Sequence, residues 1–589
     1  MKFNLTKQFE GGYLRVYGKV LDDKFPGYAT GPMSVTGTND KPVIAAMPQF
    51  DATQDTVMSR YIGGITQADG TGNIVTNNLQ NGYRVEAKTL GAELQFSLGD
   101  WNFTNRFRYS DMSGEADLFD PSIQFSGDVL ISYFAGPGGR ISYATGPQSG
   151  TVANPASISG NGVIALTSVG HTKINSLRNV TNDLRTSRVW EIAGGDLTTT
   201  AGVYASTQKI DRETYGSVIL QDIVGNGHSA LLNLTAANGT AIVRNGIYSF
   251  AAGTGPQRVN VDYDVLAPYG SFNFHKGKIA IGGSIRYDRG NVSGLQAQGS
   301  GSAAIDIDRN GIIDRAEASV PLIGAGASRP VDYRYDYVSY SGGINFRVAE
   351  NFSLFARHSL GGRAGADALL FSPAISATTG ALLDDSAGHD SVRQSEVGLK
   401  YRDNGISLNV TGFYATTRET NVQMIPDYLG IPTPTLVSRG YRTYGAEFEG
   451  SIRRGPFSVV GSVTLTGGEI TAAETPTLVG NKPRHQATLL YTLTPQIDLD
   501  KITVGANLLG QTASYAQDIN QLKMPGYATV GLFAQIRPVD RLVLGINASN
   551  IFDKRAITAI SSGAVPASGI ATARTLYGRL VSASARFFF

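Results

Sequence analysis

The chain has no cysteine among its 589 residues, which excludes disulfides, thiolate metal centres and cysteine nucleophiles. An excess of charge of either sign is missing as well. The 50 basic and 48 acidic residues leave a net charge of +2, and a nucleic-acid partner needs a concentrated basic surface that this balance does not supply. No uninterrupted apolar run of about 18 residues occurs, so a transmembrane helix is excluded. The opening segment, Met1 to Lys7, lacks the apolar stretch and small-residue cleavage site of an export signal and already alternates as a strand does. A targeting segment, if the protein is exported, is expected upstream of Met1.

What the chain does have is 71 Gly, 27 Tyr and 25 Phe with only 17% charged residues. No linker divides it, so residues 1–589 read as one large architecture rather than several domains. Its rhythm is pairs of alternating apolar and polar strands joined by very short turns, each pair separated from the next by a long polar loop. With helices excluded, a closed barrel is the remaining way to pair every backbone group inside a bilayer. The pattern predicts an all-β, transmembrane antiparallel barrel with short periplasmic turns and long extracellular loops.

The first pair is expected at Lys2 to Phe9 and Tyr13 to Leu21, turning at Glu10-Gly11-Gly12. In the second, Leu90, Ala92, Leu94, Phe96 and Leu98 alternate with Thr89, Gly91, Glu93, Gln95 and Ser97. After Gly99-Asp100, Trp101, Phe103, Phe107 and Tyr109 alternate with Asn102, Thr104, Arg106 and Arg108. Successive side chains point to opposite faces of a strand, so one set meets lipid and the other a wet lumen. Further turns are expected at Gly194-Gly195, His275 to Gly277, Ala349-Glu350, Asp403 to Gly405, Arg454-Gly455, Thr494 to Asp498, and Pro538 to Asp540. Lipid-facing positions include Ile279, Ile281, Ile285, Val397, Leu399, Tyr401, Val459, Val463, Leu465, Leu542, Leu544 and Ile546. Glu396, Lys400, Glu447, Glu449 and Arg453 are expected in the lumen. Trp101 and Trp190 fall beside short turns, where an aromatic girdle marks the membrane boundary.

The pattern holds about nineteen strands, an odd number, whereas single-chain bacterial barrels have an even one. An odd barrel leaves Lys2 to Phe9 as an unpaired edge, which lipid does not tolerate. The expectation is that further strands lie upstream, unless a further strand lies within Asp23 to Gln80 or Gly114 to Thr181.

The last strand, Arg579 to Phe589, carries Val581, Ala583, Ala585, Phe587 and Phe589 on one face and ends on an aromatic residue. It resembles the terminal signal read by the barrel-assembly machinery, with Phe587 and Phe589 as the signal residues. Asn550-Ile551-Phe552-Asp553-Lys554-Arg555 is similar to the Asn-Leu-Phe-Asp-Lys segment near the end of TonB-dependent receptors. Pro525-Gly526-Tyr527, and Ser395 to Tyr401 followed by Leu408 to Tyr414, are similar to that family too. Ala556 departs from it, standing where an aromatic residue is common. The resemblance implies a twenty-two-stranded barrel of the Gram-negative outer membrane, with an N-terminal plug and a short box that engages a TonB-type inner-membrane energy transducer. On that reading the plug, the box and three strands lie outside this sequence, and energised uptake depends on them.

One loop segment stands out. Asp306-Ile307-Asp308-Arg309-Asn310-Gly311-Ile312-Ile313-Asp314-Arg315-Ala316-Glu317 fits D-x-[DN]-x-[DN]-G-x5-E, the calcium-loop pattern. Asp306, Asp308 and Asn310 offer side-chain oxygens, Ile312 a backbone carbonyl, Asp314 a ligand directly or through water, and Glu317 two oxygens at once, while Gly311 permits the sharp turn. Ile313 is the expected apolar plug. Gly-Ser-Gly-Ser before it and Pro321 after it leave no room for flanking helices, so the alternative is a solvated acidic turn. Six histidines, His171, His228, His275, His358, His389 and His485, are scattered without ligand spacing and read as turn or lumen residues. Gly361-Gly362-Arg363-Ala364-Gly365 lacks the ending of a phosphate loop. No enzyme is expected.

The function expected is capture and uptake of a scarce small solute by an outer-membrane receptor barrel, with calcium in an outer loop as the one cofactor and membrane lipid as the surrounding partner. The alternatives are an unplugged porin-like diffusion channel and a barrel remnant or surface adhesin that transports nothing. Substrate identity is not encoded in the architecture.

Overall fold

Period-two alternation becomes antiparallel pairing along most of the chain. The computed structural model describes residues 1–25, 27, 30–251, 255–426 and 432–588. The wall consists of β1 (Lys2–Phe9), β2 (Gly12–Phe25), β3 (Tyr83–Leu98), β4 (Trp101–Ser126), β5 (Val163–Ser176), β6 (Asn179–Ile192), β7 (Gly195–Asp222), β8 (Gln257–Lys276), β9 (Ile279–Gln298) and β10 (Ser328–Ala349). It continues through β11 (Phe352–Ala364), β12 (His389–Asp403), β13 (Ile406–Pro426), β14 (Pro432–Arg454), β15 (Phe457–Ala472), β16 (Leu489–Leu499), β17 (Ile502–Gln511), β18 (Tyr527–Val539), β19 (Leu542–Ser549) and β20 (Leu580–Phe587). These segments and the short Ile247–Ser249 make one 21-stranded sheet.

Two of the segments share one place in the wall. β5 pairs with the outer halves of β4 and β7, and β6 with their inner halves. The register shift between Ile174 and Ser176 marks the joint. Taken as one rung, they leave nineteen rungs, each antiparallel to the next in chain order, as the alternation predicts. The first and last rungs therefore run in the same direction. Among the described residues no ladder joins β1 to β20, and both are exposed along their whole length.

Side-chain parity divides each rung into belts. On β8 the outward series reads Arg258, Asn260, Asp262 and Asp264, then changes to Leu266, Pro268, Gly270, Phe272 and Phe274. On β10 it reads Asp332, Arg334 and Asp336, then Val338, Tyr340, Ile344, Phe346 and Val348. A run from Leu266 to Phe274 at about 3.3 Å per residue on a tilted strand matches an apolar band about 25 Å tall. Val397 (62% exposed) and Ile546 (57% exposed) lie on the same outward face. Among the described residues no helix is long and apolar enough to cross a membrane; the strands do the crossing.

Most expected turns are present within a residue or two, and Gly11 takes φ +79° at the first. The turn expected at Thr494 to Asp498 is not there. β16 runs on to Leu499 and the chain reverses at Asp500-Lys501. Pro495 cannot donate to a ladder, so the Thr-Pro pair reads as a break. In the structure the register with β17 is the same on both sides of the gap, and the Thr494 hydroxyl bridges to Asn507 Oδ1 at 2.9 Å across it.

Beyond the band, β4, β5 and β7 continue outward with apolar residues on both faces. One face packs Phe119, Val163, Ala165, Val169 and Ile219 against Phe50, Val57, Ile62, Ile65 and Leu79 of the first long loop. The other packs Ile164, Leu166 and Leu220 against Leu130, Ile141, Ile158 and Leu232. The long loops are thus structured and carry small cores of their own.

Candidate functional site

The lumen wall is built from residues of the inward parity. Glu93 accepts from the Tyr13 hydroxyl at 3.0 Å and from Arg106 Nε and Nη2 at 3.1 Å, with Arg15 3.7 Å away. Next along the wall, Asp183 accepts from the Tyr269 hydroxyl at 2.7 Å, and Arg286 grips Asp288 through two bonds of 2.7 and 2.8 Å. On the opposite part of the chain Glu396 accepts from Gln394 at 2.6 Å, Glu449 from Asn409 at 3.2 Å, and Arg453 pairs with Asp498 at 3.0 Å. Glu396, Lys400, Glu447, Glu449 and Arg453 all lie on the face opposite to Val397, Phe448 and Ile452, as expected. Charges of both signs meet there, so the lining is polar without a strong field of one sign.

Above the band the wall opens onto a cavity of about 240 Å³ lined by Glu419, Arg439, Tyr441, Arg484 and Asp518. Arg439 forms a buried ion pair with Asp518, whose other oxygen accepts from the Arg484 amide at 2.8 Å. Burial, and then the adjacent Arg484, push the His485 imidazole below its ordinary range. Sequence reading missed this group because 79 residues separate Arg439 from Asp518 and no spacing motif connects a strand with so distant a loop.

Of the calcium-loop residues, the structure brings three carboxylates together: Asp306, Asp308 and Glu317 place an oxygen each within 4.8 Å of one another. Gly311, at φ +80°, lets the chain fold back so that its amide donates to Asp306 Oδ2 at 2.8 Å. Glu317 is 2% exposed and accepts from the amides of Ile307 and Asp308 on one oxygen and Asp314 on the other. A carboxylate so enclosed is costly unless a positive charge joins its hydrogen bonds, and among the described residues Glu317 has no ion-pair partner. Asn310 turns its oxygen to the Ile312 amide at 2.7 Å. Asp314 stands apart from the cluster and caps the turn at Ala316 and Glu317. Ile313 is not the plug. It is 45% exposed, and Ile307, 2% exposed, packs instead with Ala68, Phe250, Ala316 and Val320. The flanks are a short ladder, Gly301–Ala303 with Val320–Leu322, and Ile312 and Ile313 face solvent.

Trp101 and Trp190 meet edge to face, 5.8 Å apart, beside the short turns. His171 is neither a turn nor a lumen residue: it is buried in the outer extension, with Nδ1 2.8 Å from Asp117 Oδ1 and its ring 5.1 Å from that of Tyr215. Phe587 closes β20 opposite Leu542; Phe589 lies outside the described residues. Asn550 explains the local form of its segment. At φ +48° it accepts from the Lys554 amide and donates to the carbonyls of Lys554 and Tyr577. Asp553 accepts from the Arg579 amide at 2.9 Å. The segment ends β19 and pins the start of β20.

Comparison with curated protein sequences finds no match. Among solved structures, the siderophore receptor PiuA from Acinetobacter baumannii is similar at 15% identity and a TM-score of 0.58, over 98% of this chain and 71% of that one. The ferric-catecholate import receptor Fiu from E. coli K12, in its closed form, is similar at 13% identity and a TM-score of 0.63, over 98% and 72%. The ferric preacinetobactin receptor BauA from A. baumannii is similar at 10% identity and a TM-score of 0.58, over 100% and 71%. At such identities these likenesses show the fold alone. The family model described as "TonB dependent receptor-like, beta-barrel" matches residues 36–551. Its span over most of the wall, on a lipid-banded antiparallel sheet with short turns on one rim, means that the chain belongs to the TonB-dependent receptor β-barrel family of the Gram-negative outer membrane.

Proposed function

We propose that this outer-membrane receptor barrel takes up ferric siderophores, with residues 1–589 acting as one barrel unit and a TonB-type inner-membrane partner supplying the energy. The observation that carries the reading is the combination of family and wall. A wall of nineteen rungs is wider than a barrel filled by its own side chains, its lining is polar, and the proteins it resembles in fold are a siderophore receptor, a ferric-catecholate import receptor and a ferric preacinetobactin receptor. The outer cavity beside Arg439, Tyr441 and Arg484 offers guanidinium and phenol donors to an oxygen-rich ligand. The test is uptake of radiolabelled iron by iron-starved cells carrying the full gene, supplied with a panel of catecholate, hydroxamate and carboxylate chelates. Uptake of one class, lost on deleting the gene and on deleting the energy transducer, is the expected result. Uptake that survives loss of the transducer would support a diffusion channel, and no uptake of any chelate would overturn the substrate class.

The reading includes calcium in the Asp306 to Glu317 loop, held by Asp306, Asp308, Asn310, the Ile312 carbonyl and Glu317, with Asp314 acting directly or through water. Two facts support it: the full ligand pattern in the sequence, and the convergence of three carboxylates around a buried Glu317. Oxygen distances of about 2.3–2.6 Å and a dissociation constant on the order of 0.1–1 mM are expected for an extracellular loop of this type.

A further inference from the structure

Arg188 occupies an unusual place for a charged side chain. It lies on the outward parity of β6, directly opposite Trp101 of β4 in the ladder, at the end of the wall where the turns are short. Its guanidinium sits 3.9 Å from the ring centre of Trp190 and 5.6 Å from that of Trp101. Trp190 is itself fixed, its indole N–H donating to Thr199 Oγ1 at 2.8 Å. Asp100 takes one donor of the guanidinium, Nη2, at 2.8 Å. Among the described residues the enclosed Nε–H has no acceptor, so the outward hydrogen bonding of the group falls to Nη1 and the second N–H of Nη2, on a side chain that remains 28% exposed. One strand beyond β7, at the end of β8, Lys276, also of outward parity and exposed, reaches across to donate to the Ala193 carbonyl in the turn that follows β6, at 2.6 Å. The outward side of the rim from β4 to β8 thus presents two cations and the Asp100 carboxylate around the only two tryptophans in the chain, while Glu191 and Asp196 take the opposite, inward parity.

Tryptophan rings settle at the headgroup level of a bilayer, and a cation bracketed by aromatic faces is held in place before any ligand arrives. The short-turn rim meets the inner, phospholipid leaflet of the outer membrane. We propose that Arg188 and Lys276 bind the phosphate of an anionic phospholipid of that leaflet, with Trp101 and Trp190 flanking its glycerol backbone. One net positive charge on a lipid-facing surface, with a guanidinium donor left over, complements a phosphodiester. Asp100 orients Arg188 and leaves its donor edge toward the bilayer.

The experiment compares wild type, R188Q/K276Q and K276Q, each refolded or extracted and scored as folded by heat-shifted gel mobility. Native mass spectrometry after incubation with phosphatidylglycerol reports bound lipid. Two cations at about 1 kcal/mol each predict retention about thirtyfold weaker in the double variant, with K276Q in between. Because both tryptophans belong to this site, fluorescence excited selectively at tryptophan reads it alone. Brominated phospholipids with bromine near the glycerol are expected to quench more strongly than those with bromine at mid-chain. Equal retention by all three proteins would overturn the proposal, and so would equal or stronger quenching from mid-chain bromine. K276Q keeps the test open if removal of Arg188 disturbs the turn.

Discussion

At the scale of single residues, the structure turns on which face a side chain takes. Leu94 points outward and Gln95 inward on the same strand. Leu94→Arg is expected to cost about 2–4 kcal/mol in a bilayer, whereas Gln95→Arg, on the wet side, costs far less; denaturant unfolding in vesicles measures both, and equal costs would mean that the faces are reversed. Asp553 makes a second test. The Arg579 amide, and then Arg555, hold its carboxyl below the usual aspartate range. A lowered folded pKa contributes stability that is present above the unfolded value of about 3.9 and disappears as pH falls through the folded one. Asp553→Asn should therefore lower thermal stability at neutral pH, and the gap from wild type should close in acid. This scale was largely legible in advance: parity alone assigned Glu396, Lys400 and Glu447 to the lumen. It was not legible where segments distant in the chain meet, since nothing near Arg439 announces Asp518, and nothing near His171 announces Asp117.

At the scale of elements, the calcium loop separates what a motif specifies from what folding adds. The motif named the ligands; it did not show that Ile307 rather than Ile313 packs inward. That exchange follows from flanks made of a short ladder instead of two helices, because no second helix is there to receive the later side chain. Glu317→Gln should abolish calcium-dependent heat in calorimetry of the solubilised protein while leaving heat-shifted mobility unchanged, because the rungs do not depend on this loop. Absence of such heat in the parent at millimolar calcium would return the segment to a solvated turn. The last strand offers another test. Its resemblance to the assembly signal predicts that deleting Phe589 lowers the amount of folded protein in the outer membrane much more than the amount synthesised, as read by surface labelling against total antigen. Turn positions were legible wherever glycine or asparagine made them, as at Gly11 and Asn404. The Thr494 to Asp498 expectation failed because an antiparallel ladder can lose the donor at Pro495 and continue in register.

At the scale of the whole molecule, the number of rungs and their order followed from alternation and turn length. What the alternation concealed was the outer extension of β4, β5 and β7. There both faces are covered, so the residues around Val163 to Leu166 are apolar without a period and resemble a loop core rather than a continuing strand. An epitope inserted at the Ala236 to Gly239 turn, which follows the Leu232–Thr235 strand, should be stained on intact cells. The same insert at Gly277-Lys278 should be stained only after the outer membrane is opened, and the opposite pattern would invert the assigned topology.

The length of that extension has its own consequence. β7 contains 28 residues, and those from Ser206 onward add about 55 Å of strand at about 3.3 Å each, or about 40 Å of height at the usual tilt. This places the packed loop cores well clear of the bilayer surface, like the head of a tower rather than the lip of a pore. A body far too large to enter the lumen, such as an antibody or a phage tail tip, therefore meets this part of the protein first.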